Sequence, residues 1–208
     1  VHIVQGDILQ IDFVAELVVA LGLHEAASLS YKVVANLPYY ITSAALRCLL
    51  DARVRPKQLT VMVQREVAQR IVSTPGSLSL LAISVQVFGL PEIECRVPAS
   101  AFYPRPKVDS ALLRVRLYES PRVPEGDLPR FFRVVRAGFA QRRKQLHNSL
   151  THNLHLPHES VLEALAEANI APQRRPQTLS IQEWAALAPR LPLQLSVPIT
   201  SRQGTSAG

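Results

Sequence analysis

Asn36-Leu37-Pro38-Tyr39-Tyr40 is the segment whose residue types and order could do chemistry. It follows the apolar run Lys32–Ala35, and in open parallel sheets ligands bind beyond the carboxyl ends of strands. An amide side chain, a carbonyl held by the next proline and neighbouring phenol rings suit the methylation of an amino group on an aromatic base. Such a nitrogen is a poor nucleophile because its lone pair is delocalised into the ring. Two acceptors, Asn36 Oδ1 and the Leu37 carbonyl, can hold its N–H bonds and turn the lone pair toward a methyl donor. Pro38 removes a donor and restricts Leu37 to extended geometry. Tyr39 can stack on a flipped base. No general base is needed, because the proton becomes acidic once the methyl has moved. The plainer alternative is a strand-to-turn junction, where Asn and Pro are common.

The elements that must position this segment follow from periodicity. Val1–Gln5, Lys32–Ala35, Gln58–Gln64 and Ala111–Leu117 read as strands, and Thr42–Asp51, Arg65–Ser73 and Leu80–Phe88 as helices. Their alternation predicts an α/β fold with a mostly parallel sheet. Residues 119–129 carry Pro121, Pro124, Gly126 and Pro129, a linker composition. Beyond it only helices are expected, over Leu128–Leu150, Ser160–Glu167 and Ile181–Ala188. The organisation expected is therefore an α/β domain over 1–118, a helical domain over 119–190, and a disordered tail over 191–208.

Composition narrows the function class. The 208 residues are 48% hydrophobic and 19% charged, as in a packed soluble chain, and carry a net charge of +7. No apolar run reaches the ~20 residues of a membrane span. Cys48 and Cys95 sit in apolar surroundings without ligand-type neighbours at metal spacing, so both read as reduced, buried thiols, with no metal site and a reducing, cytoplasmic setting. The positive excess is concentrated: Arg130, Arg133, Arg136, Arg142, Arg143 and Lys144 occur with no acid among them. On a wheel of 100° per residue Phe131, Phe132, Val135, Phe139, Leu146 and Leu150 share one stripe, about 100° wide. Arg130, Arg133, Arg136, Arg143 and Lys144 take the other face, and Arg142 falls on the apolar side. A polyanionic partner follows for the basic face and a structural role for Arg142; a merely solvated helix is the alternative.

Five further stretches carry a resemblance. Gln64-Arg65-Glu66-Val67-Ala68-Gln69-Arg70 and Phe102-Tyr103-Pro104-Arg105-Pro106-Lys107-Val108-Asp109-Ser110 follow Asn36-Leu37-Pro38-Tyr39 in the order and approximate spacing of the rRNA adenine dimethyltransferase family. Gly138-Phe139-Ala140-Gln141-Arg142-Arg143-Lys144, then Asn148-Ser149-Leu150 and Arg175-Pro176-Gln177-Thr178-Leu179-Ser180, resemble its bacterial small-subunit branch. The resemblance implies a Rossmann-like, S-adenosyl-L-methionine-dependent methyltransferase with a small helical C-terminal domain, residues 1–118 forming a partial methyltransferase catalytic domain and 119–190 an RNA-binding domain. It would act as a monomer on two adjacent adenines in a hairpin near the 3′ end of small-subunit rRNA, in the immature small subunit.

By that analogy Asn36 and Leu37 hold the amino group, Pro38 fixes the turn, Tyr39 stacks on the base and Phe102 closes the pocket. Asp7 resembles the acid that accepts from the donor's adenine, with Ile8 flanking that ring and Asn36 bordering it. Arg105, Lys107, Arg136, Arg143 and Lys144 are the expected RNA contacts. Each has a plainer reading: Asp7 as a helix N-cap, Phe102 as core, Arg105 and Lys107 as a solvated turn. Gln64 and Glu66 read as structural. A large-subunit adenine methyltransferase of the antibiotic-resistance type, or a non-catalytic ribosome-assembly module, are the rivals.

One departure matters. The family's glycine-rich donor loop should lie before Asp7, and no Gly-x-Gly pair occurs. The expectation is an N-terminally truncated chain with half a cofactor site and the first strands of the sheet missing.

Overall fold

A computed structural model describes residues 1–193. Four strands form one sheet: β1 (Lys32–Asn36), β2 (Gln58–Gln64), β3 (Gly89–Val97) and β4 (Ser110–Leu117), in the order β1-β2-β4-β3. Helix α2 (Thr42–Leu50) is the crossover between β1 and β2, which pair in parallel. The other two pairings, β2 with β4 and β3 with β4, are antiparallel, so the mostly parallel sheet expected from the sequence is corrected. The β4 sequence shows why. Ala111, Leu113 and Val115 are fully buried while Arg114 and Arg116 face the other way, the two-sided pattern of an antiparallel strand.

Helices α3 (Arg65–Ile71) and α4 (Leu80–Gln86) lie between β2 and β3 in the chain. The fully buried Leu59, Val61 and Val63 of β2 share one apolar core with Leu46 and Leu49 of α2 and Ala82, Ile83 and Val85 of α4. Strand β3 is not predicted by periodicity because Pro91, Glu92 and Glu94 interrupt it. They are tolerated because β3 is an edge strand. Glu92 stands opposite Arg114 in register and takes its guanidinium at 2.8 Å, and Arg116 at 2.7 Å. A register shift between Ile93 and Cys95 leaves Cys95 exposed, not buried as expected, while Cys48 is half-buried.

Val1–Gln5 forms no strand. These residues are exposed and have no ladder to join, and an apolar run alone cannot satisfy its backbone groups as sheet. A short helix, α1 (Phe13–Ala20), follows; its N-cap is Asp12, which accepts from the Ala15 amide at 3.0 Å.

The C-terminal region is all-helical: α5 (Leu128–Phe139), α6 (Leu146–Leu154), α7 (His158–Glu167) and α8 (Ile181–Leu187). The single helix expected over Leu128–Leu150 is in fact two. A turn over 140–144 separates them, closed by the Lys144 amide on the Gln141 carbonyl at 2.9 Å. The consecutive cations Arg142, Arg143 and Lys144 have no acid one turn away to offset their repulsion in a helix. The Leu146 amide, at the start of α6, instead donates to the Arg174 carbonyl at 2.8 Å.

The core does not stop at residue 118. Phe88 stacks on Phe132 with ring centroids 6.1 Å apart, and the Gln177 carbonyl accepts from the Gly76 amide at 2.9 Å. Ser180 and Glu183 form a capping box at the start of α8, and Arg174 closes on Glu183. Leu191 and Leu193 are buried, so residues 191–193 pack with the core and do not belong to the tail expected from 191; residues 194–208, the rest of that expected tail, lie outside the described residues. Among the described residues no helix is long and apolar enough to cross a membrane.

Gly138 is the tightest point of this core. A Cβ there would stand 2.4 Å from Trp184 Cη2, on a fully buried indole. Gly138→Ala gains about 1 kcal/mol of helix propensity, but overpacking costs about 1–3 kcal/mol. Denaturant unfolding is expected to give a net loss of stability.

Candidate active site

Asn36 closes β1, and the chain turns there at once. Leu37 is buried, Pro38 is extended at φ −57° and ψ 135°, and a 3-10 turn over Tyr39–Ile41 leads into α2. The Pro38 carbonyl accepts from the Ile41 amide at 3.1 Å and from the Thr42 hydroxyl at 3.4 Å. The turn is thus fixed from within, while the exposed Asn36 amide makes no hydrogen bond among the described residues. A polar group left free beside a buried leucine is available to a ligand. Tyr40, four residues after Asn36, is 89% exposed.

Tyr39 is half-buried, and its phenol shares a hydrogen bond of 2.7 Å with the hydroxyl of Ser110, a fully buried residue at the start of β4. The bond pins the ring at one end. Asp109, one residue earlier, gathers the second loop. Its carboxylate accepts from Arg96 Nε at 3.0 Å and from the Ala99 amide at 3.0 Å, and Arg65 Nη1 lies 3.6 Å away. Its backbone carbonyl accepts from the Arg65 amide at 3.0 Å. The Arg96 hydrogen bond, followed by that from Ala99, holds the Asp109 carboxyl below the usual carboxylate range.

Phe102 stands on this clasped loop, half-buried and not in the core, while Arg105 and Lys107 are exposed. Asp109 was legible only as part of a motif. Its clasp depends on Arg65 and Arg96, remote in sequence and brought together by strand pairing.

Asp7 is exposed and caps no helix. Its carboxylate accepts from the Leu9 amide at 2.9 Å and from Gln10 Nε2 at 3.1 Å, which makes a local turn. Half-buried Ile8 packs against the core, and its carbonyl accepts from Cys48 Sγ at 3.5 Å, which fastens the turn to α2. No hydrogen bond joins Asp7 to Asn36 among the described residues.

The basic stretch divides. Arg130 donates to the carbonyls of Ala188 at 2.8 Å, Pro189 at 3.2 Å and Leu191, so it fastens the chain after α8 and leaves the expected RNA face. Arg136, on the last turn of α5, is exposed, as are Arg143 and Lys144 in the 140–144 turn. Arg142 is exposed too; the helix ends before it, so the wheel that placed it on the apolar side does not apply. Among the described residues no group of His, Cys, Asp or Glu could hold a metal ion.

The family model described as "Ribosomal RNA adenine dimethylase" matches residues 1–191. The chain belongs to that family. It is 46% identical over 160 residues to Ribosomal RNA small subunit methyltransferase A of Dehalococcoides mccartyi, covering 77% of this chain and 55% of the relative. The 23S rRNA methyltransferase ErmE has a similar structure, with a TM-score of 0.63 and 26% identity over 90% of this chain and 70% of its own. A dimethyladenosine transferase from Plasmodium falciparum gives a TM-score of 0.66 at 25% identity, covering 76% of this chain and 66% of its own. The fold is thus the Rossmann-like α/β fold of these family members. The chain spans about half the length of curated relatives such as this Dehalococcoides mccartyi protein.

The Asp109 clasp has a pH signature. A carboxylate with a depressed folded value stabilises the fold above its unfolded value, about 3.9, and the contribution is lost as pH falls through the folded value. The Ala99 amide proton shift, followed by nuclear magnetic resonance, is expected to titrate with a midpoint below about 3.9. In Asp109→Asn that titration disappears. A midpoint at or above the ordinary value would contradict the clasp.

Proposed function

We propose that the chain carries the adenine-presenting part of an S-adenosylmethionine-dependent rRNA adenine N6,N6-dimethyltransferase. The substrate is a pair of adjacent adenines in a hairpin near the 3′ end of small-subunit rRNA in the assembling subunit. The observation that supports this most is the exposed, unpartnered Asn36 amide at the carboxyl end of β1, followed by Leu37-Pro38. Asn36 Oδ1 and the Leu37 carbonyl accept the two N–H bonds of the adenine amino group. That rotates the lone pair out of the ring plane toward the donor. Tyr39 stacks on the base while Ser110 holds its phenol, and Phe102 covers the opposite face. The proton released on N-methylation passes to solvent, because the methylated nitrogen is strongly acidic.

The residues at hand suit the adenine end of the donor, since the exposed Asp7 carboxylate keeps acceptor capacity beyond its two local bonds. Asp7 would accept from that amino group, with Ile8 and Asn36 at its border. When bound, S-adenosylmethionine supplies the electrophilic methyl group. The rRNA backbone is met by Arg105 and Lys107 on the clasped loop and by Arg136, Arg143 and Lys144 beyond it.

The similarity to a 23S rRNA methyltransferase favours a second reading, a large-subunit substrate. Greater identity to small-subunit enzymes supports the first. Methylation assays on rRNA of each subunit separate them.

Two outcomes test the proposal. Asn36→Ala is expected to lower kcat about 10²–10³-fold, as when one transition-state hydrogen bond is lost (~2.7–4 kcal/mol), with an unchanged unfolding midpoint. Transfer within a factor of about three of the parent would remove Asn36 from the mechanism. Arg143→Gln with Lys144→Gln is expected to flatten the salt dependence of rRNA binding by about one to two units, roughly 0.7–0.9 per lost phosphate contact. An unchanged slope would leave the 140–144 turn without an RNA role.

A further inference from the structure

Gln64 stands at the carboxyl end of β2, half-buried, and its side chain makes no hydrogen bond among the described residues. It immediately precedes α3, yet its side chain does not cap that helix. Gln86, by contrast, donates from Nε2 to the Ile71 and Ser73 carbonyls at 2.7 and 2.8 Å. A structural role for Gln64, as the sequence suggests, would show bonds of that kind.

Register places this unspent amide. Leu59, Val61 and Val63 of β2 are fully buried in the core shared with α2 and α4, so Met62 and Gln64 take the opposite face. Asn36 stands opposite Met62 across β1 and β2, and Ser110 opposite Gln64 across β2 and β4. Asn36, Gln64 and Ser110 therefore share one face and one end of the sheet, with Gln64 about 7 Å further along than Asn36. The Tyr39 phenol, bonded to Ser110 at 2.7 Å, reaches from the turn after β1 to the start of β4, and β2 lies between. Gln64 also lines a cavity of about 310 Å³ with Lys107 and Val108, from the loop that carries Phe102.

The chemistry of two successive methylations says what such an amide could do. Asn36 and Leu37 hold both amino N–H bonds of an unmethylated adenine. After the first transfer one N–H bond remains, and after the second none. A grip on the amino group alone thus weakens at the intermediate that has to be held for the second transfer. The ring nitrogens keep their lone pairs throughout. They are acceptors only, and a glutamine amide carries two N–H donors. Glutamine is moreover a recurrent partner of adenine edges.

We infer that the Gln64 side-chain amide donates to a ring nitrogen of the target adenine and holds the base through both methyl transfers. This rests on the adenine reading of the Asn36 turn and adds to it a contact that methylation does not consume.

Affinity for a short hairpin RNA, read by fluorescence anisotropy without the donor, tests it. Both adjacent adenines are replaced by 1-deaza-, 3-deaza- or 7-deazaadenine, each lacking one ring nitrogen. One of the three hairpins is expected to bind about fivefold more weakly than adenine, the worth of one neutral hydrogen bond, and names the nitrogen. Gln64→Met keeps the length of the side chain without its amide. It is expected to bind the adenine hairpin about fivefold more weakly and to lose nothing further on that deaza hairpin. Its loss is expected to persist when the pair is N6-methyladenine. If Gln64→Met lowers the melting temperature, Gln64→Glu repeats the test, since a carboxylate accepts without donating. The inference is overturned if all three deaza hairpins bind like adenine, or if the variant keeps the parent's deaza sensitivity. It is overturned too if the variant's loss vanishes on N6-methyladenine. In each of these cases the adenine reading stands. An abasic pair bound as tightly as the adenines would overturn both.

Discussion

The Asp109 carboxylate accepts from Arg96 and the Ala99 amide while its neighbour Ser110 bonds the Tyr39 phenol, so two consecutive residues, one just before β4 and one at its start, govern both loops of the candidate site. One loop follows β1 and the other precedes β4, and β2 lies between these strands in the sheet. Without the clasp the loop carrying Phe102 would be free to swing relative to the turn carrying Asn36. With it, the two are referred to one rigid strand. Preorganisation of this kind is what lets a few hydrogen-bond acceptors act on a transition state without reorganising.

That strand is rigid because of what lies behind it. β4 is hydrogen-bonded on both sides, and its inward residues are fully buried against the same core that holds α2 and α4. Helix α5 extends that core, so the basic turn over 140–144 is carried on a packed support through Phe131, Val134, Val135 and the Gly138–Trp184 contact. The surface follows a division of labour. Arg130 and Arg174 are consumed in holding backbone and carboxylate, whereas Arg136, Arg142, Arg143 and Lys144 remain exposed.

The sequence made much of this legible where one period dominates. β1, β2 and β4 have unbroken alternation or a short apolar run, and their positions follow from it. The Asn36 turn was readable because Pro38 constrains its neighbours whatever surrounds them. β3 was not readable, since its stability comes from cross-strand Glu92 pairs with Arg114 and Arg116 that only register creates. The break before Arg142 was missed because a helical wheel assumes that the helix continues, and that assumption misassigned Arg142. Val1–Gln5 had the pattern of a strand but no partner. Asp109 lacked a local signal, as its partners come from α3 and β3.

The hydrogen bond between Tyr39 and Ser110 is the point at which the coupling of the two loops is most directly tested. A double-mutant cycle of Tyr39→Phe and Ser110→Ala, read by denaturant unfolding, isolates that coupling. If β4 holds the Tyr39 turn as described, the singles each destabilise and the pair is non-additive by about 1 kcal/mol, the net worth of one such bond. Additivity within about 0.3–0.5 kcal/mol would show that the two hydroxyls are not partners and that β4 does not fix the turn.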